Sequence, residues 1–464
     1  MNTPMRGVIL AVVVLHLSLR LASGSVAYSP HVKSVPRGGG GENAPDVRNK
    51  QKKKVYKTVQ AHIIHRHGDR TPITPLKDED YWSSTLCPPE LLDKLSQGTR
   101  EIRTETLTHK AGGRGPFGKL TQMGIFQMVD VGNQLRDDLC TSLSSEDACR
   151  LDEHGNRHYE HLWYSDNPMQ PSDIKTISTD FPRTIQSLHG VLVGMFPDGF
   201  GDAETTIDLD CRHTAWLIPD PQPRRSQEQE QLEVELASRD YFRRRDADML
   251  PLARKVTEAL APLLAPEAFD FAFGVGEDDG SSSDKQKVLT WAQLAEITKC
   301  LQVRGKLPPA ISKEEQTQII DHLAWRWFES LKDARLIHLA MHKFASEIVH
   351  AMRHCKDEES KKMIIYSAHD SSLIALMCMF RLELPSKWPE YSSFLKVELV
   401  EVSSNSEESS EGGDASIEYF VRFYLNGNLI KSKWDDDHEA AESISLQDLA
   451  HRVKTVGAHK RKAD

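Results

Sequence analysis

Apolar residues along the chain alternate between short strand-like runs and longer helical repeats. Val55 to His65 is rich in β-branched and apolar residues, which predicts a strand. After Thr121 the apolar residues recur at helical spacing, which predicts a helix with Thr121 as its N-cap. Two more passages from strand to helix are predicted at 174–196 and 363–380. This alternation predicts an α/β fold with a mixed, mostly parallel sheet flanked by helices.

The stretch between the second and third passages, 208–334, has a mostly helical pattern. Ser312 begins a capping box in front of an apolar helical repeat. We therefore predict an inserted, mainly helical cap domain at 208–334. It divides the α/β core into a first part, 55–207, and a second part, 335–450, and a basic C-terminal tail is predicted at 451–464.

The first residues have the pattern of a secretory signal peptide. Arg6 precedes an apolar run from Val8 to Leu19, and small residues follow it. A membrane span needs ~20 apolar residues, so we predict a cleaved signal at 1–24, with an uncleaved anchor or a mitochondrial presequence as alternatives. Residues 25–54 predict a disordered basic linker, because they combine Pro, four consecutive glycines and three consecutive lysines. The expected location is the secretory pathway: extracellular space, Golgi, lysosome or vacuole.

Charge and cysteine content narrow the class of protein. Lys and Arg total 58 and Asp and Glu total 68, a net charge of −10, which argues against nucleic acid as a partner. No other apolar run approaches membrane length, so no stable span is expected after signal cleavage. Seven cysteines allow up to three disulfides in an oxidising compartment. Cys140 and Cys149 bracket a short polar loop and are the candidate local pair, whereas Cys378 is expected to be a buried free thiol.

Charged and imidazole side chains follow all three predicted strand ends. They are Arg66, His67 and Arg70 after the first strand, Arg183 after the second, and His369 and Asp370 after the third. Ligands of open α/β sheets bind outside the carboxyl ends of the strands, so we expect these side chains to meet in one crevice. Guanidinium groups match phosphate in bidentate geometry and remain charged at every working pH. The expected ligand is therefore a phosphate group.

Arg183 strengthens this interpretation, because a cation in the first turn of a helix is unfavourable unless an anion lies nearby. Pairing with a local carboxylate such as Asp180 is the alternative. His67, next to Gly68, is a candidate nucleophile that attacks phosphorus with a neutral imidazole nitrogen, or else a hydrogen-bonded structural histidine. Asp370 is a candidate proton donor to the leaving alkoxide, a helix N-cap, or both.

The proton on that carboxyl group sets the expected working pH. Nearby arginines and a helix N-terminus keep a carboxylate ionised, whereas a bound phosphate dianion raises its pKa, so we expect an acidic optimum. A metal site at His62, His65 and His67 is not expected, since only the last two share a strand face and no carboxylate-rich segment accompanies them. No cofactor is expected.

Four segments, in this order, resemble the signature segments of the histidine acid phosphatases, the acid-phosphatase and phytase branch of the histidine phosphatase superfamily. They are Arg66–Pro72, Gly118–Gly124, Ser178–Thr184 and Tyr366–Asp370. The resemblance implies an α/β core with a helical cap and no metal cofactor. It also implies that His67 is the nucleophile and Asp370 the general acid. The phosphate-binding residues that it implies are Arg66, Arg70, Arg183 and His369.

The subfamily stays open at the level of sequence. Lys387-Trp388-Pro389 looks most like the lysophosphatidic acid phosphatase type, whereas other segments also resemble prostatic acid phosphatase and 2-phosphoxylose phosphatase. The sequence departs from the family at His65, where a bulky apolar or aromatic residue is usual, and at Ser371-Ser372, where a Thr is common.

The leading hypothesis is an acid phosphatase, a phosphoric monoester hydrolase, acting on a small phosphorylated substrate such as a lysophospholipid or a phosphosugar. A phytase-like inositol phosphatase is one alternative and needs basic cap residues at the pocket mouth. The candidates for that role are Arg224, Arg225, Arg243, Arg244 and Arg245. A catalytically silent phosphoanion-binding protein is the other alternative. The oligomeric state does not follow from the sequence.

Overall fold

A computed structural model describes residues 53–103, 114–199, 205–212, 226–270, 288–404, 416–433 and 439–457. The predicted signal peptide and all but the last two residues of the predicted linker lie outside these ranges.

Within the described ranges, eleven strands form a single sheet. The strands are β1 Lys54–Arg66, β2 Thr99–Arg103, β3 Arg150–Leu151, β4 Arg157–Tyr159, β5 Ile174–Thr179, β6 Ile207–Arg212, β7 Met363–Ala368, β8 Phe394–Ser404, β9 Ile417–Leu425, β10 Asn428–Ile430 and β11 Ile444–Ser445. The main order is β10-β9-β8-β1-β7-β5-β6-β2. Neighbours from β1 to β2 in this order are parallel, and β8, β9 and β10 continue the other edge in antiparallel orientation.

Helices flank the sheet, as the alternating pattern predicts. They are α1 Glu79–Ser84, α2 Pro89–Leu95, α3 Gln122–Leu139, α4 Pro182–Met195, α5 Gln227–Ala237, α6 Asp240–Leu260, α7 Trp291–Val303, α8 Lys313–Ser330, α9 Ala334–Arg353, α10 Asp370–Met379 and α11 Leu446–Thr455. Short 3-10 turns lie at Pro171–Asp173, Ala261–Leu263 and Pro266–Asp270. The predicted α/β architecture with a mixed sheet is confirmed.

The sheet is buried on both faces because successive side chains of a strand point to opposite sides. On β1, Ile63 packs into the hydrophobic cluster that contains residues of α3 and α4. The next residue, Ile64, packs into the cluster that contains residues of α9, α10 and α11. Ile364 and Ile365 of β7 divide between the same two clusters. The central strands are therefore packed on both sides, and only the residues beyond their ends are left to form a site.

Helices α5 to α8 occupy the stretch predicted as a cap, and α6, α7 and α8 share a hydrophobic cluster of their own. The predicted capping box is present: Ser312 Oγ accepts from the amide of Glu315, whose carboxylate accepts from the amide of Ser312. The boundaries of the cap domain stay a prediction. Its predicted start at 208 falls inside β6, because Ile207, Leu209 and Cys211 alternate into the core. Strand β6 was not predicted from the sequence.

The C-terminal part contains a tight hairpin and a helix that extends into the predicted tail. Asn426 and Gly427 connect β9 to β10 with φ of 49° and 80°, the left-handed conformations that a tight hairpin turn requires. Helix α11 reaches Thr455 and so overlaps the start of the predicted tail, whereas 458–464 lie outside the described residues. Among the described helices, none has the length and apolar content to cross a bilayer.

The structure corrects the predicted local disulfide. All seven cysteines are free thiols, and Cys140 and Cys149 are not bonded to each other. Each is held by a different partner: Cys140 pairs with Trp163 through its backbone, and the thiol of Cys149 contacts the hydroxyl of Tyr159. Cys378 is free, as predicted, but half-buried.

Candidate active site

The site is built at the edge where β1, β5 and β7 end together. Arg66 pairs with Ala368 across β1 and β7, and Ser178 pairs with Ser367 across β5 and β7. Because the three strands are parallel and in register, the residues that follow them emerge at the same edge of the sheet. This register brings segments that are far apart in sequence into one crevice.

All six sequence-predicted site residues meet there. The rings of His67 and His369 lie 5.7 Å apart between centroids, and Nη2 of Arg183 lies 3.5 Å from Nδ1 of His369. Nη2 of Arg66 contacts Oδ2 of Asp370 at 2.7 Å. Arg70 is buried in the loop after β1, close enough for its charge to act on His67. The predicted convergence of three strand ends is therefore present.

The hydrogen bond of His67 defines which ring nitrogen is available. Nδ1 lies 2.8 Å from the backbone oxygen of Gly68, and a carbonyl oxygen only accepts, so Nδ1 carries the proton. Nε2 then has a free lone pair when the ring is neutral. Burial lowers the pKa of His67 well below its usual value, and the positive charges of the neighbouring arginines lower it further. The ring is thus neutral with Nε2 unprotonated, the state that a nitrogen nucleophile requires.

Two buried guanidinium groups keep donor capacity for an anion. Arg66 donates through Nη1 to the backbone oxygen of Pro389 at 2.5 Å and lies 4.2 Å above the ring of Tyr391. Arg70 donates through Nη1 to Glu296 at 2.8 Å. Within the described residues, Nε of each arginine is buried without a hydrogen-bond partner. Unsatisfied buried donors are costly, so their presence at one site points to an anionic ligand.

His369 is oriented by a short chain of hydroxyl groups. Its Nδ1 faces the guanidinium of Arg183, which only donates, so its Nε2 carries the proton and donates to Thr179 Oγ1 at 3.0 Å. Thr179 donates in turn to Thr184 Oγ1 at 2.9 Å. Burial lowers the pKa of His369 well below its usual value, and the charge of Arg183 acts in the same direction. In the free site Nδ1 of this imidazole therefore acts as an acceptor, and it can donate to an anion only after it gains a proton.

Arg183 itself stands in the first turn of α4, as predicted. The N-cap residue of that helix, Phe181, supplies no side-chain hydrogen bond, and the guanidinium of Arg183 lies 4.5 Å from the centroid of its ring. The local carboxylate named as an alternative partner, Asp180, contacts Nε of Arg103 at 3.3 Å.

The loop after β1 is held by close packing and a buried ion pair. A Cβ on Gly68 would lie 2.3 Å from the backbone oxygen of Gly124, so only glycine fits at this approach of the loop to α3. Asp69 is buried and binds Arg304 at 2.7 Å and the hydroxyl of Thr121 at 2.6 Å. These contacts fix the backbone that follows His67.

One face of α7 carries site residues that were not predicted from the sequence. Glu296 accepts from Arg70 and from the amides of Ile73 and Thr74, each at 2.8 Å. Cys300 contacts the hydroxyl of Tyr391 at 3.4 Å. With Arg304 these residues recur every four positions, which places them on one face of the helix. That spacing is the signal in the sequence, but it does not say what the face contacts.

The segment before β8 also contributes to the site. Nε1 of Trp388 donates to Oδ2 of Asp370 at 2.9 Å, and the ring of Tyr391 lies 5.9 Å from that of His67. Burial favours the protonated form of Asp370, but Arg66 and other positive charges outweigh it, so the pKa of this carboxyl lies below its usual value. The Asp370 side chain is 18% exposed, which leaves it accessible to a substrate.

No group of three or more metal-ligating side chains occurs among the described residues. His62 is occupied by its bonds to Tyr366 and Gln60, and His65 faces the backbone oxygen of Arg66. What the site offers is a buried set of guanidinium and imidazole groups around a neutral histidine. This fold and site define an α/β protein with a buried, arginine-lined crevice suited to a phosphoanion.

Comparison with known proteins finds similarity to one family of phosphatases. Residues 58–231 match the model of the histidine phosphatase superfamily (branch 2). Counting factor 60 of Dictyostelium discoideum is 24% identical over 80% of each chain. Lysophosphatidic acid phosphatase type 6 of Pongo abelii is 22% identical over 82% of this chain and 80% of its own length. The phytase of Citrobacter braakii has the same fold, with a TM-score of 0.51 and 14% identity over 86% of this chain and 98% of its own.

The chain is thus similar to branch 2 of the histidine phosphatase superfamily over residues 58–231. It is an enzyme of the phosphatase class, a phosphoric monoester hydrolase.

Proposed function

We propose that this chain hydrolyses phosphomonoesters through a covalent phosphohistidine on His67, with Asp370 as the general acid. The observation that carries this proposal is the neutral imidazole of His67, with Nδ1 bonded to a carbonyl oxygen and Nε2 free among buried arginines. Arg66, Arg70 and Arg183 bind the phosphate oxygens, and His369 joins them once the bound dianion raises its pKa and Nδ1 gains a proton that it can donate to a phosphate oxygen. The positive charge of the guanidinium groups stabilises the negative charge on the phosphoryl group while it is transferred.

The reaction proceeds in two balanced steps. The Nε2 lone pair of His67 forms an N–P bond while the ester P–O bond breaks, and Asp370 protonates the leaving oxygen. Water then attacks phosphorus, the N–P electrons return to Nε2, and the Asp370 carboxylate accepts the proton from water. Phosphate leaves, and both residues are restored to their starting states.

The protonation of Asp370 is the reason why we expect an acidic working pH. In the free site Arg66 lowers the pKa of this carboxyl, which removes the proton that the first step needs. A bound phosphate dianion neutralises part of that positive charge and raises the pKa again. Activity with substrates that need a proton at the leaving oxygen should therefore fall as the pH rises.

Relatives named lysophosphatidic acid phosphatase support a small phosphorylated substrate, such as a lysophospholipid or a phosphosugar. The fold shared with phytases leaves the phytase-like alternative to be tested. Two of the cap arginines are engaged within the cap: Arg243 pairs with Asp240, and Arg245 lies over the ring of Trp325. Arg224 and Arg225 lie outside the described residues. The N-terminal signal pattern supports entry into the secretory pathway, and a cleaved, secreted form is part of this proposal.

Turnover of two monoesters tests the mechanism. An aryl phosphate has a good leaving group, whereas an alkyl phosphate needs a proton from the enzyme. We expect His67→Ala to abolish turnover of both while inorganic phosphate still binds. We expect Asp370→Asn to reduce alkyl phosphate turnover by about 10²–10⁴-fold and to affect the aryl phosphate much less.

Trapping the intermediate gives a direct measurement. Acid-labile, base-stable label from a ³²P-labelled monoester should appear on the wild-type chain and be absent from His67→Ala. Absence of turnover of either substrate from pH 4 to 8 would instead favour a silent phosphoanion-binding protein. Preference for inositol hexakisphosphate over both simple monoesters would favour the phytase-like alternative.

A further inference from the structure

The carboxyl group of Asp370 is bound unequally at its two oxygens. Oδ2 accepts from Nη2 of Arg66 at 2.7 Å and from Nε1 of Trp388 at 2.9 Å. Oδ1 accepts from the backbone amide of Ser371 at 2.9 Å. Among the described residues, one oxygen is thus held by two side-chain donors, and the other has a single backbone donor and a further lone pair.

Trp388 is fixed in this position by packing on both of its sides. It is partly buried against the cluster around β7 and α10 and also against the cluster of the α6–α8 helices. The ring of Trp327 on α8 meets it edge to face, with centroids 6.0 Å apart and planes at 81°. The next residue, Pro389, accepts from Nη1 of Arg66. The Trp388-Pro389 pair therefore holds both members of the Arg66–Asp370 ion pair.

The unequal binding decides which oxygen can carry the proton. A proton on Oδ2 would point toward two N–H donors that already occupy that oxygen, whereas a proton on Oδ1 meets no such conflict. Building on the proposed function, we propose that Trp388 is a positioning residue that holds Oδ2 of Asp370 and so leaves Oδ1 as the oxygen that delivers the proton. Trp388 itself does not exchange a proton with the substrate.

Removal of the indole N–H should change the pH dependence of the enzyme. The charged and titratable groups that act on Asp370 are Arg66 on β1, Arg70 in the following loop and His369 at the start of α10. All of them remain in a Trp388→Phe variant, which loses only the neutral N–H donor. That donor favours the ionised carboxylate, so its loss should raise the pKa of Asp370 and move the alkaline limb of the rate profile to higher pH.

The test compares kcat for an alkyl and an aryl phosphate from pH 4 to 8 in the wild-type chain, Trp388→Phe and Trp327→Phe. In Trp388→Phe we expect the alkyl kcat to fall about tenfold, the size expected for one hydrogen bond to a charged group. The aryl kcat should change less than about twofold, and the alkaline limb for the alkyl substrate should shift upward. Trp327→Phe disturbs the same packing without touching Asp370 and should leave the alkyl-to-aryl ratio unchanged.

Two outcomes separate this inference from the proposed function. Equal loss for both substrates in Trp388→Phe, with no shift of the limb, means that the residue only supports packing and overturns the inference. If Asp370→Asn keeps full turnover of the alkyl phosphate, Asp370 is not the general acid, and the proposed function fails together with this inference.

A second measurement does not require the Trp388→Phe variant to fold. In wild-type protein labelled with ¹⁵N at the tryptophan indoles, one N–H resonance should titrate with the midpoint of the alkaline limb of kcat/KM, which reports the free enzyme. The same resonance should not titrate in Asp370→Asn. If no indole resonance titrates with that midpoint, Trp388 does not sense the carboxyl group and the inference is wrong.

Discussion

His62 makes the acid stability of this fold testable with one substitution. Its imidazole is fully buried on β1, with Nε2 donating to Gln60 Oε1 at 3.1 Å and Nδ1 accepting from the hydroxyl of Tyr366 at 3.3 Å. Burial lowers the pKa of His62 from 6.5 to about 3. The His62→Gln substitution keeps an N–H donor toward Gln60 and removes the titrating ring.

The sign and size of the effect follow from proton linkage. Because the folded pKa is depressed, the unfolded chain binds a proton below pH 6.5 that the folded chain does not bind. The free energy of unfolding is therefore highest above pH 6.5 and falls with pH until both states are protonated near pH 3. At about 1.4 kcal/mol per pH unit, the 1.5 units from pH 6.5 to pH 5 amount to about 2 kcal/mol lost through His62 alone.

Urea denaturation at pH 7 and pH 5, without phosphate, measures this loss. The wild-type chain should lose at least 2 kcal/mol between the two pH values, and His62→Gln should lose about 2 kcal/mol less than the wild type. His451→Gln, on the exposed face of α11, is the control and should lose as much as the wild type. If His62→Gln and the wild type lose the same free energy, buried neutral histidines do not control the acid stability of this fold, and the reasoning is refuted.

Three further results are expected. Glu296→Ala removes the carboxylate that accepts from Arg70 and from two backbone amides. It should lower the free energy of unfolding by about 3 kcal/mol in urea denaturation and raise KM for an aryl phosphate about tenfold in steady-state kinetics. Gly68→Ala places a Cβ against the backbone of Gly124 and should destabilise the fold by more than about 2 kcal/mol. Gly305→Ala has open space around the new Cβ but a φ of 64°, so it should cost about 1 kcal/mol. Equal losses of stability in thermal melts of the two variants would contradict this. Thiol labelling of the denatured, unreduced protein should count seven free cysteines, and any lower count would contradict the structure.

The strands and helices that carry the site could be predicted because their patterns are local. The run of β-branched and apolar residues before His67 and the helical repeat after Thr121 each lie within one short segment, and the structure confirms both elements. The edge strand β2 and the strand β6 were missed. Each has five or six residues, and charged side chains alternate with the buried ones of β6, so neither gives a long apolar run.

The missed residues of the site have a different cause. Glu296 and Trp388 lie more than 200 residues after Arg70 and 18 residues after Asp370, respectively, and neither spacing says that the pairs meet. Their contacts depend on how α7 packs against the loop after β1 and on the path of the chain into β8. Packing of this kind is a sum of many weak, non-directional contacts, so no short pattern in the sequence records it.

The sequence by itself determined the α/β class and the side chains gathered at the ends of three strands, since strand and helix periodicity and the charge of arginine are properties of local segments. Only the tertiary structure decided which nitrogen of His67 is free, which oxygen of Asp370 is occupied and which cap residue holds Arg70. Hydrogen bonds act over about 3 Å, and the three-dimensional fold alone brings atoms from distant segments within that distance.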